Sequence, residues 1–154
     1  FAMTGWRIGY ICSPNIEAMT QIIKMQYYIT ACSNDAMQYA VLTAFDEAST
    51  YPEEMAKEFQ ARRDLICSRL NSMPGVSCHI PNGAFYVFPK VEVPGMNSQE
   101  LAIELLKGGV LSSPGSAFGE SGEGHLRFAY TVSREDISLG MDKVESVLKR
   151  LRGD

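Results

Sequence analysis

The stretch GHLRFAYT, residues 124–131, decides how the second half of the chain is read. Leu126, Phe128 and Tyr130 alternate with His125, Arg127 and Ala129, which is the two-residue period of a strand with one buried face. An arginine inside such a strand is costly to bury without an anionic partner. Its place opposite three apolar side chains calls either for a local carboxylate, such as Glu120 or Glu123, or for an anion carried by a ligand. A planar, permanently charged fork suits carboxylate or phosphate. Arg7, which follows Trp6 in another apolar stretch, poses the same choice.

Outward from that strand, helices alternate with short strands. GAFYVFPK (83–90) reads as a strand, with Phe85 and Val87 on one face and Ala84, Tyr86 and Phe88 on the other. VLSSPGSAFGESGEG (110–124) starts as a short strand and continues as a glycine-rich loop. Ser133 caps a final helix whose apolar stripe is Ile137, Met141, Val144, Leu148 and Leu151. Asn97 and Glu100 form a capping pair for a helix ending at Lys107. STYPEE (49–54) opens a long helix with Met55, Phe59, Ile66 and Leu70 on one face, and NSMPG (71–75) ends it. Nearer the N-terminus, Asn15 caps a helix over 16–28 and a second helix covers 35–48. WRIGYIC (6–12) reads as a short buried strand. Residues 1–50 are therefore expected to be mainly helical with one strand. Residues 51–154 are expected to be α+β, a small sheet with helices packed on one side.

Composition narrows the function classes. The chain has 154 residues, 45% hydrophobic and 21% charged, as in soluble globular proteins. A net charge of -4 with scattered basic residues argues against a nucleic-acid partner. No apolar run reaches the roughly 20 residues of a membrane span, so no membrane partner is expected. Cys12, Cys32, Cys67 and Cys78 have no C-x-x-C spacing, and His79 and His125 stand alone. The expectation is four reduced, mostly buried thiols in a cytoplasmic protein without a metal site. No nucleophile elbow, zinc-protease motif or Walker loop is present, and GESGEG reads as a surface turn. The chain opens on Phe1 within an apolar stretch, which reads as the interior of a longer protein.

FAMTGWRIGY, NGAFYVFPK and SSPGSAFGESGEGHLRFAYTVSREDI, in that order, resemble the C-terminal part of class I/II aminotransferases. These are fold-type-I enzymes that use pyridoxal 5′-phosphate. The resemblance spans nearly the whole chain and implies an α/β fold. Residues 1–50 would be the tail of the large cofactor-binding domain and 51–154 the C-terminal small domain. It implies that Arg7 holds the cofactor phosphate and that Arg127 binds the substrate α-carboxylate. Ser33 and Asn34 match a segment that approaches the neighbouring subunit's cofactor phosphate, with helix capping as the other reading. Tyr86 and Phe88 either line the pocket edge or pack the strand, and 114–119 form the loop beside the substrate entrance. A dicarboxylate-specific subgroup carries an arginine where this chain has Ile29, which argues against that mode of aspartate recognition. The family's Schiff-base lysine falls upstream of Phe1, so the chain alone is expected to hold no catalytic residue, to lack bound cofactor and to be inactive. The implied partners are an L-amino acid and a 2-oxo acid, in a longer enzyme that is a homodimer. The chain itself is expected to self-associate through Trp6, Ile22, Ile23 and Tyr27. A carbon–sulfur β-lyase of the same fold would use the same arginines, and a non-catalytic binding domain is the third reading.

Overall fold

The computed structural model describes residues 1–48 and 50–153, and the chain divides into two compact units, Phe1–Met55 and Ala56–Asp154.

In the first unit, α1 (Ile16–Thr30) starts where the Asn15 side chain accepts from the Ala18 amide at 2.9 Å. Helix α2 (Asp35–Glu47) starts the same way, with Asn34 accepting from the Met37 amide at 3.2 Å. Residues 6–12, expected as a buried strand, form none. Thr4–Trp6 make a 3-10 turn, Arg7 takes a left-handed φ of 52°, and the residues after it have no regular structure. A strand needs a neighbour to take its backbone hydrogen bonds. Among the described residues every paired strand lies in the second unit. The apolar side chains of the first unit stay largely at the surface, Ala44 being its one buried hydrophobic residue among those described.

Helix α3 (Tyr51–Asn71) begins with the Thr50 carbonyl accepting from the Glu53 and Glu54 amides. Ser49, the first residue of its expected start signal, lies outside the described residues. Ile66, Cys67 and Leu70 of α3 are buried. After it come β1 (Val76–Ser77), β2 (Tyr86–Val87), β3 (Lys90–Val91), α4 (Ser98–Lys107), β4 (Ser113–Pro114), β5 (Leu126–Ala129) and α5 (Arg134–Arg152). Helix α4 has the full reciprocal cap, Asn97 with Glu100, and Ser133 caps α5 through the Asp136 amide. Strand β5 is central, antiparallel to both β2 and β4, while β1 pairs with β3. The expected long strand over 83–90 is split by Pro89, which has no amide to donate. Its carbonyl still accepts from the Leu126 amide, and Val91 pairs onward to Gly124.

Val87, Leu126, Phe128 and Tyr130 join Ile66, Leu70, Leu101, Leu105, Ile137, Met141, Val144 and Leu148 in one cluster. The three helices thus cover one face of the sheet, and Tyr86 and Ala129 mark the open face. The Tyr130 hydroxyl, carried into this core, donates to the Ala84 carbonyl at 2.9 Å.

The thiols divide between the units. Cys67 and Cys78 are buried, with sulfurs 3.9 Å apart, and burial raises both, Cys78 to about 12. Cys12 and Cys32 are exposed, so the expectation of mostly buried thiols fails for the unit that has almost no core.

Candidate active site

Strand β5 alternates cleanly. Leu126 and Phe128 point into the core and Arg127 stands half-buried on the opposite face. The pairing of Tyr86 with Ala129 makes Tyr86 the diagonal neighbour of Arg127 on that face, and Ser113 of β4 lies directly opposite the arginine. The guanidinium carbon lies over the Tyr86 ring, 4.5 Å from its centroid, and over the Phe118 ring at 4.7 Å. The one hydrogen bond described for this guanidinium is Nη2 donating to Ser113 Oγ at 3.3 Å. Among the described residues it forms no ion pair.

Of the local carboxylates that could have satisfied it, Glu123 is committed elsewhere. Its carboxylate accepts from the Ser98 amide at 2.6 Å, the Ser98 hydroxyl at 2.9 Å and the Gly124 amide at 2.9 Å. These donors, the Ser98 amide first, hold the Glu123 carboxyl below the ordinary glutamate range. The same contacts tie the loop carrying Phe118 to the start of α4. That loop is two 3-10 turns, Gly115–Phe118 and Glu120–Gly122, whose backbones touch at Gly115 and Gly122. A Cβ on Gly115 would lie 1.9 Å from the Gly122 carbonyl oxygen, and one on Gly122 would lie 2.1 Å from that of Gly115. Glycine at both places is what allows the crossing. Phe118 then packs edge-on against Phe88 at 5.9 Å, and Phe88 stacks on His125 at 5.0 Å.

In the first unit, Arg7 is exposed and donates to the Thr4 carbonyl at 3.3 Å, and among the described residues it too forms no ion pair. Ser33 lines a mostly apolar cleft of about 600 Å³ with Ile8, Tyr10, Val41, Leu42 and Phe45. Arg7 is not among the residues lining that cleft. Asn34 spends its side-chain oxygen on the cap of α2. With one long hydrogen bond to a backbone carbonyl, the Arg7 guanidinium keeps donors of the kind that suit a phosphate, and no bond is described for the Ser33 hydroxyl. The arginine strand was legible in the sequence. The contacts of Ser113 and Phe118 with it were not, because the first depends on the register of β4 against β5 and the second on how a glycine-rich loop closes.

A family model described as aminotransferase class I and II matches residues 1–144. An aromatic-amino-acid aminotransferase 2 of Thermococcus litoralis is 38% identical over 152 residues, covering 97% of this chain and 39% of that protein. An aspartate aminotransferase of Pyrococcus abyssi is 40% identical over 154 residues, again covering 97% and 39%. Among solved structures, an aromatic aminotransferase from Pyrococcus horikoshii OT3 superposes with a TM-score of 0.87 at 38% identity, covering 97% of this chain and 40% of that one. The chain therefore spans about two fifths of the length of the relatives it matches.

Proposed function

Because the chain belongs to the class I and II aminotransferases, we propose that it supplies the substrate-carboxylate anchor and one cofactor-phosphate anchor of a longer enzyme. That enzyme would transfer an amino group from an L-amino acid to a 2-oxo acid. The observation that carries this reading is Arg127: a half-buried arginine on a rigid strand, with aromatic neighbours and no carboxylate of its own among the described residues. Enzymes of this family use pyridoxal 5′-phosphate, and Arg7 fits its phosphate, with Ser33 as a weaker candidate for a cofactor-phosphate contact. Asn34 is the poorer candidate, since capping α2 already uses its side-chain oxygen. Residues 1–50 are assigned to the tail of the large cofactor-binding domain and 51–154 to the small domain.

The chemistry asked of these residues is positioning. Arg127 takes the α-carboxylate through two parallel N–H donors, which fixes the direction of the substrate's Cα–H bond before the proton moves. Ser113 steadies one edge of the guanidinium. Arg7 offsets phosphate charge and so fixes the far end of the cofactor. The cofactor, when bound, supplies the electron sink for the carbanion-like state at Cα. The resemblance assigns the cofactor-bearing lysine to none of this chain's residues, and the chain by itself is expected not to transfer amino groups.

The test is Arg127→Lys in the longer enzyme, which keeps the charge and loses the fork. We expect kcat/KM to fall by roughly two to three powers of ten, with the unfolding midpoint and cofactor content unchanged. A lowered midpoint with unchanged kcat/KM would make the arginine structural and reject the reading.

A further inference from the structure

Arg127 is held with most of its hydrogen-bonding edge unused. A carboxylate partner would have occupied the planar fork, whereas the two aromatic rings engage the charge through their faces. Only Nη2 makes a described hydrogen bond, and at 3.3 Å it is long. Each ring is itself supported. Tyr86 lies against Phe85, with centroids 4.5 Å apart, and Phe118 rests edge-on against Phe88 on a loop tied down by the glycine crossing and by Glu123. Three of these aromatic side chains are nevertheless exposed, Tyr86 at 37%, Phe88 at 40% and Phe118 at 51%. Burial in the core therefore does not account for their placement beside a cation.

We propose that Tyr86 and Phe118 are positioning residues that hold the Arg127 guanidinium in place and leave its fork free for an incoming carboxylate. Two ring faces lower the freedom of a side chain that otherwise has many rotamers, so less ordering remains for the moment of binding. The inference rests on the reading of Arg127 as a carboxylate anchor, and it adds which residues make that anchor rigid.

The experiment uses the 154-residue chain with ¹⁵N-labelled arginine. The order of the Arg127 Nε–Hε bond is read by heteronuclear relaxation, and its chemical shift is followed during titration with acetate. Wild type should give an ordered Nε–Hε resonance that acetate moves. Tyr86→Ala and Phe118→Ala should each increase its motion and weaken acetate binding by about two- to five-fold, the worth of one exposed cation–π contact. Phe118→Tyr should restore the order, and Phe118→Leu should not. If Phe118→Leu is as ordered as wild type, the ring acts only as bulk and the proposal falls. If the double alanine variant keeps both order and acetate affinity, with its backbone spectrum otherwise unchanged, the proposal also falls. If the rings control order but acetate leaves the wild-type resonance unmoved, the clamp stands and the carboxylate reading fails.

Discussion

Helices α1 and α5 begin alike and end up in different surroundings. Each is capped by a short polar side chain, Asn15 accepting at 2.9 Å and Ser133 at 3.0 Å. Each carries an acidic residue in its first turn, where the helix dipole favours it. Yet α5 buries Ile137, Met141, Val144, Val147 and Leu148, whereas none of the 15 residues of α1 is buried. Caps and periodicity decide that a helix forms and where it starts. They do not supply the surface it packs against. The second unit contains α4, α5, most of α3 and the sheet face they cover. In the first unit Ile22, Ile23, Met25, Tyr27, Tyr28 and Ile29 of α1 are all exposed, six large apolar side chains left in water on one helix.

That contrast predicts, as its largest consequence, self-association of the chain through the first unit. A micromolar dimer would correspond to about 8 kcal/mol at standard state. Sedimentation should show concentration-dependent mass, and Ile23→Asp with Tyr27→Asp should return the chain to monomer without moving the unfolding transition of the second unit. A monomeric profile for the wild type at tens of micromolar would break the comparison. Next in size is the difference between truncations. Leu70 has no exposed surface, and Leu70→Ala should lower stability by about 2–5 kcal/mol, from lost transfer energy plus the cavity left behind. Tyr28 is 76% exposed, and Tyr28→Ala should change stability by less than about 0.5 kcal/mol. Denaturant midpoints at equal m-value compare the two directly.

The parts of the fold legible in the sequence were those set by local chemistry. Asn97 with Glu100 opened α4, Ser133 opened α5, and the alternation of Leu126 and Phe128, continued by Tyr130 just past the strand, marked the buried face of β5. The parts that needed partners were misread. Residues 6–12 have the apolar character of a strand, but pairing depends on a neighbour that this part of the sequence does not encode. The thiols show the same dependence. Cys67 and Cys32 are alike as residues, and only one of them lies under a core. At the candidate site, Arg127 was visible because a charge inside an apolar strand conflicts with its surroundings. Phe118 was not, since its place over the guanidinium follows from two glycines meeting seven positions apart in a loop.

The smallest predicted effect concerns how that loop is held, and it sharpens the contrast from within the second unit. Glu123 accepts from the Ser98 amide, the Gly124 amide and the Ser98 hydroxyl, and these bonds depress its pKa below the ordinary 4.5. A depressed carboxylate contributes stability that is fully present above the unfolded-state value. It loses that contribution as the pH falls through the lower folded value, because the protonated group no longer accepts as an anion. The loop should therefore stay latched at neutral pH and loosen only below about pH 4.5. Glu58, Glu92, Glu104 and Glu145 are depressed as well, by contacts with basic side chains, so global acid unfolding does not isolate Glu123. A local observable does. The ¹³C resonance of the Glu123 carboxyl should titrate with a midpoint below 4.5, and protection of the Ser98 amide from exchange should fall over the same interval. In Glu123→Gln the Ser98 amide should lose this pH step while the core amides of α4 keep their protection. A Glu123 midpoint at or above the ordinary glutamate value would mean that the carboxylate does not hold the loop, and that the glycine crossing alone places Phe118 over Arg127.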